Sequence, residues 1–77
     1  MENKTLQLKI YEASKIPTRR DFAKSTRRTG PYVSNMLNSD IDVSVDLAID
    51  MCDRLQMDRE EVFKMIVDHL RGKIFYY

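Results

Sequence analysis

Six basic residues fall between Lys15 and Pro31 (Lys15, Arg19, Arg20, Lys24, Arg27 and Arg28) against the single acid Asp21. Guanidinium groups at that density present forked N–H donors that match phosphate and carboxylate oxygens, so the chemistry they suit is neutralising a polyanion. From Ser39 to His69 the balance reverses. Nine acids (Asp40, Asp42, Asp46, Asp50, Asp53, Asp58, Glu60, Glu61, Asp68) stand there against Arg54, Arg59 and Lys64. A net charge of only +1 thus conceals a basic end suited to a polyanion and an acidic surface facing away from it. The plainer alternative is a pair of solvated faces.

Catalytic and metal chemistry find no comparable grouping. His69 is the only histidine and Cys52 the only cysteine, so the chain offers no ligand cluster and no nucleophile–base–acid set. The carboxylates of the second half are spaced for solvent. The expectation is a protein that is not an enzyme and takes no metal or cofactor. His69 is expected as a favourable charge near a helix C-terminus, and Cys52 as a buried small hydrophobe. The lone cysteine, the lack of a charged and then apolar leader, and the lack of any apolar run near roughly 20 residues predict a soluble protein of a reducing cytoplasm.

Whatever the arginines do, a small helical body must position them. Seventy-seven residues allow one core, and 43% apolar with 32% charged residues and two each of Gly and Pro favour helix over a turn-rich β fold. Residues 5–14 alternate like a strand at Leu6, Leu8 and Ile10, yet Leu6, Ile10 and Ala13 also share a helical face; helix is chosen, because a lone strand would have no partner. Pro17 stops that helix. Thr18 caps a second from Arg19 with Asp21 three residues on, burying Phe22 and Ala23.

A turn is expected between Thr26 and Thr29. Helix 3 then starts with Thr29 or Gly30 as cap and Pro31 in its first turn, where a missing N–H costs nothing. Val33, Met36 and Leu37 form its inner face, and Asn38-Ser39-Asp40 closes it, with Asn38 able to take the left-handed conformation. Ser44 caps helix 4, with Leu47, Ala48, Met51, Cys52 and Leu55 inward and Asp46, Asp50 and Asp53 outward. Asp58 with Glu61 opens helix 5, with Val62, Phe63, Ile66, Val67 and Leu70 inward until Gly72 ends it. The expected fold class is all-α, a bundle of five short helices spanning 1–72, with an apolar tail over 73–77.

The window from Arg19 to Asn38 resembles a helix-turn-helix of the phage repressor and Cro (Xre-like) family. That family's pattern has a small residue at the fifth place and aliphatics at the fifteenth and eighteenth, here Ala23, Val33 and Met36; the usually apolar fourth place is Phe22. "YVSNMLN" is similar to the family's reading-helix ending, and "VSVDLAIDMCDRLQMDREEVF" to its fourth helix and the entry to its fifth. The resemblance covers roughly Lys9 to Ile66. It departs at the ninth place, where the family favours Gly in the turn and this chain has Arg27, a residue for which a left-handed backbone costs about 1 kcal/mol or more.

The resemblance implies a lambda-repressor-like fold and a transcriptional regulator of phage type that binds double-stranded DNA with helix 3 in the major groove. It places Thr29, Gly30, Pro31, Tyr32 and Asn35 nearest the bases. Asn35 could pair bidentately with adenine, Thr29 could add a hydroxyl, and Gly30 with Pro31 allow only close approach and apolar contact. Arg19, Arg20, Arg27, Arg28 and Asn38 are the implied phosphate contacts. Two alternatives stay open at this point: Tyr32 packs in the core, and Asn35 is an exposed polar residue without a partner.

Ile74, Phe75, Tyr76 and Tyr77 are too apolar to leave in water. They predict a homodimer contact that would set two reading helices about 34 Å apart, with folding back onto the chain's own core as the alternative. A rival from another class keeps the same scaffold as a protein-binding module, an anti-repressor or phage inhibitor working through its acidic face or apolar tail.

Overall fold

Side-chain caps fix where each helix begins. In the computed structural model, which describes residues 4–74, the elements are α1 (Leu6–Ser14), α2 (Arg19–Thr26), α3 (Gly30–Asn38), α4 (Val45–Arg54) and α5 (Arg59–Ile74). The hydroxyls of Thr5, Thr18, Thr29 and Ser44 accept from the N–H groups of Leu8, Asp21, Tyr32 and Leu47, and the Asp58 carboxylate accepts from Glu61. Each cap satisfies a donor that the helix itself cannot, worth about 1 kcal/mol. The regular structure among the described residues is all helical, as the composition predicts.

The ends hold the first surprise. Lys15, Arg27 and Gln56 adopt the left-handed conformation at φ 59°, 57° and 58°, and no glycine does. Helix α3 ends at Asn38 with Ser39 as its cap, where the sequence places the stop, but Asn38 does not use its capacity for the left-handed conformation, and Ser39 is extended at φ −74°, ψ 146°. The cause lies in the next segment: residues 39–44 form no regular structure, bend at Asp40 and Ile41, and are held at the start of α1 by Gln7. Fully buried, Gln7 donates through Nε2 to the carbonyls of Met36 and Ile41 and accepts at Oε1 from Val43 N–H. One carbonyl near the end of α3 and two backbone groups of the irregular segment are thereby bonded by one side chain.

The core is Leu6, Ile10, Phe22, Ala23, Val33, Met36, Leu37, Ala48, Met51, Cys52, Val62 and Ile66. Tyr11 meets Phe22 edge to face at 5.1 Å between ring centres. Burial pushes the Cys52 thiol up to about 11, in keeping with an inert core residue. The inner face of α1 is rotated from expectation, because Gln7 sits inside while Ala13 is exposed.

Helix α5 departs further. Its inward residues are Val62, Ile66 and His69, with Met65 packed beside them, whereas Phe63 is 71% exposed, Leu70 is exposed and Val67 half-buried. His69 is the cause: it is buried with Nε2 2.9 Å from Asp42 Oδ2, and Asp42 Oδ1 also accepts from Leu6 N–H at the start of α1. That pairing turns the helix so that Phe63 and Leu70 point away from the core. His69 therefore ties α5 to the α3–α4 segment, a tertiary role beyond the one expected for it near a helix C-terminus. Gly72 does not stop the helix, which continues through Ile74 without a positive φ. Among the described residues no helix is long and apolar enough to cross a membrane.

Candidate nucleic-acid interface

Helices α2 and α3 are joined by residues 27–29 alone, so the packing between them is tight and must be built from small and flat contacts. Ala23 on α2 is 3% exposed, and Val33 and Met36 on α3 are buried against it and the core. Thr26 is buried too, its hydroxyl turned back onto the carbonyls of Phe22 and Ala23, which satisfies it without a tertiary partner. The turn closes on Arg27 at φ 57°, ψ 41°. Its N–H bonds Lys24 O, and Arg28 N–H bonds Ala23 O at 2.9 Å, so the last carbonyls of α2 are satisfied as they would be with glycine. The departure at Arg27 thus leaves the turn geometry intact and strains only one residue.

The face left outside is continuous. Pro31, Asn35 and Asn38 recur along one side of α3 and are all exposed, with Thr29, Gly30 and Tyr32 exposed at its start. Tyr32 is 40% exposed and does not pack in the core. Gly30 has a negative φ, and a Cβ there would meet nothing within 4 Å, so neither conformation nor packing requires glycine at this position. Arg19 and Arg20 are exposed at the start of α2, and Arg27 in the turn. Arg19 Nη1 donates to Asn38 Oδ1 at 3.2 Å, which ties the start of α2 to the end of α3.

Arg28 stands apart from the other three. Its Nη2 donates to Asp50 Oδ2 at 3.0 Å, and its guanidinium lies 5.5 Å from the centre of the Tyr32 ring. Asp50, expected to face solvent, is half-buried and also accepts from Arg54 Nε at 3.0 Å. The bond from Arg54 holds its carboxyl below the usual carboxylate range; burial opposes it, and the charge of Arg54 and the contacts with Arg28 add smaller lowering effects.

Nine of the ten expected contact residues are exposed, and the tenth, Arg28, is engaged with Asp50 and Tyr32. The Arg54 spacing of four from Asp50 was legible as a helical pair; the Arg28 partner, 22 positions away, left no local signal. Phe75, Tyr76 and Tyr77, and the side chain of Ile74, lie outside the described residues. Comparison with protein-family models, with curated proteins and with solved structures finds no match to the chain.

Proposed function

We propose that the chain is a DNA-binding transcriptional regulator of the repressor and Cro type, which lays the exposed face of α3 in the major groove. The single observation that supports this best is the exposed line Pro31, Asn35 and Asn38 on a helix flanked by Arg19, Arg20 and Arg27, with Tyr32 and Gly30 at its leading end. The arginines and the ends of α2 and α3 supply phosphate contacts, which set affinity and salt dependence. Asn35 supplies the base-edge contact, with Thr29 and Tyr32 beside it. Flanking Gly30 and Pro31 add closeness without hydrogen bonds, so the recognition set is thin and DNA shape carries part of the preference.

In this reading the regulator works as a homodimer, and α4 and α5 provide the contact. Val45, Ile49, Phe63, Val67 and Leu70 line an open apolar groove of about 450 Å³. Glu60 and Arg71 flank the Phe63–Leu70 stripe towards its opposite ends, so an antiparallel pairing of two α5 helices sets each Glu60 near the other copy's Arg71. The same groove is what favours the second reading, a protein-binding module.

Selection of bound duplexes from a random pool tests the proposal. The wild-type chain enriches a two-fold symmetric sequence, and Asn35→Ala binds the pool but loses preference at one position of each half-site. An unenriched pool with the folded wild type overturns the proposal.

A further inference from the structure

We infer that Asp50, on α4, sets the position of Tyr32 at the front of α3 through the Arg28 guanidinium between them, and that sequence preference is thereby governed by a residue that does not face DNA. The inference rests on the DNA-binding reading and deepens it. It also removes Arg28 from the phosphate contacts.

Arg28 is held three ways. Its backbone N–H closes α2 on Ala23 O, its Nη2 bonds Asp50, and its plane sits by the Tyr32 ring. Its side chain is 32% exposed, and its Nε is buried without a hydrogen-bond partner, so the guanidinium is oriented by the carboxylate at one end and the ring beside it. Asp50 is in turn steadied from its own helix by Arg54, which donates to the same Oδ2. Arg28 and Arg54 share the one Asp50 carboxylate, so the grouping stays net positive; what the bond to Asp50 does is orient the Arg28 guanidinium, which holds the aromatic ring by its face. Tyr32 follows the Thr29 cap by three residues, so the ring held in this way stands at the leading edge of α3. Where that ring sits decides how closely the edge of α3 approaches and which bases its phenol and the neighbouring Asn35 meet.

The distinguishing experiment measures the full chain and five variants, Asp50→Ala, Arg28→Lys, Tyr32→Ala, Arg27→Ala and Arg19→Ala, against a selected and a random duplex at several salt concentrations. Nuclear magnetic resonance follows the Tyr32 ring signals, without DNA, in the wild type and the four variants that keep the ring. Asp50→Ala and Arg28→Lys are expected to move the Tyr32 signals and to reduce discrimination between the two duplexes on the order of ten-fold, as Tyr32→Ala does. Their salt slopes stay at the wild-type value, whereas Arg27→Ala lowers the slope by about one and keeps the discrimination. Arg19→Ala leaves the Tyr32 signals in place.

Tyr32 signals that stay put in Asp50→Ala and Arg28→Lys overturn the inference whether or not DNA binds. So does an Asp50→Ala protein that binds every duplex more tightly with a steeper slope, since Arg28 would then be a phosphate contact restrained by Asp50. A folded wild type that binds neither duplex overturns the DNA-binding reading, and with it the link to sequence preference, while the ring signals still decide the positioning.

Discussion

At the scale of single residues, the exposed edge of α3 contains a glycine that the fold does not use. Gly30 opens the helix at an ordinary backbone angle with open space around it. Gly30→Ala is therefore expected to raise stability by about 0.4–1 kcal/mol, chiefly by restricting the unfolded chain, and to weaken DNA binding because the methyl stands where a groove must approach. Denaturant melts and a duplex titration on the same variant check both signs. Asp50 gives a second expectation. A carboxylate whose pKa is lowered on folding adds stability above its unfolded value, near 3.8, and loses it as acid carries the pH down through the lower folded value. The Arg28–Asp50–Arg54 grouping is thus intact at neutral pH. The Tyr32 ring signals should hold constant from about pH 8 to 5 and shift only as the pH falls below the ordinary carboxylate value of 3.8.

At the scale of elements, what the sequence made legible is local and what it hid is tertiary. Thr18, Thr29, Ser44 and Asp58 announce helix starts because a cap and its N–H lie three residues apart, within one turn. On α5 the expected Val62 and Ile66 face inward, but Phe63 and Leu70 do not, because His69 reaches Asp42, a partner 27 positions away. Gln7 carried a faint signal, a polar residue between Leu6 and Leu8 one turn before Ile10, but nothing local named Met36, Ile41 and Val43 as its partners. Replacing it tests how much the α3–α4 segment depends on it. Gln7→Leu keeps the volume, strips the Ile41 carbonyl and the Val43 N–H of their partner and leaves the Met36 carbonyl only its bond from Ser39, so the loss of stability should be about 2 kcal/mol. Chemical denaturation measures it, and a loss below about 0.5 kcal/mol would mean that solvent replaces the side chain there.

For the whole molecule, the basic and acidic halves of the chain are not two independent faces. Arg28 of the first half is bound to Asp50 of the second, and the apolar surface left on α4 and α5 belongs to the acidic half. The proposed function divides the labour between them: one side for DNA, the other for a second copy. Phe63→Glu places a charge in the groove at a position already 71% exposed, so stability of the single chain should change by no more than about 0.5 kcal/mol. The mass in solution should fall from two copies to one and operator affinity should drop steeply. A wild type that is a monomer at tens of micromolar argues against the pairing without touching the α3 face.

Binding of DNA by the α3 face is tested most directly by the salt dependence of affinity for a random duplex. Neutralisation by Arg19, Arg20 and Arg27 predicts measurable affinity at about 50 mM salt and a fall of log K against log salt with a slope near −3 for one copy, and about twice that for a pair. Absent binding at about 50 mM salt, or binding with a flat slope, contradicts it.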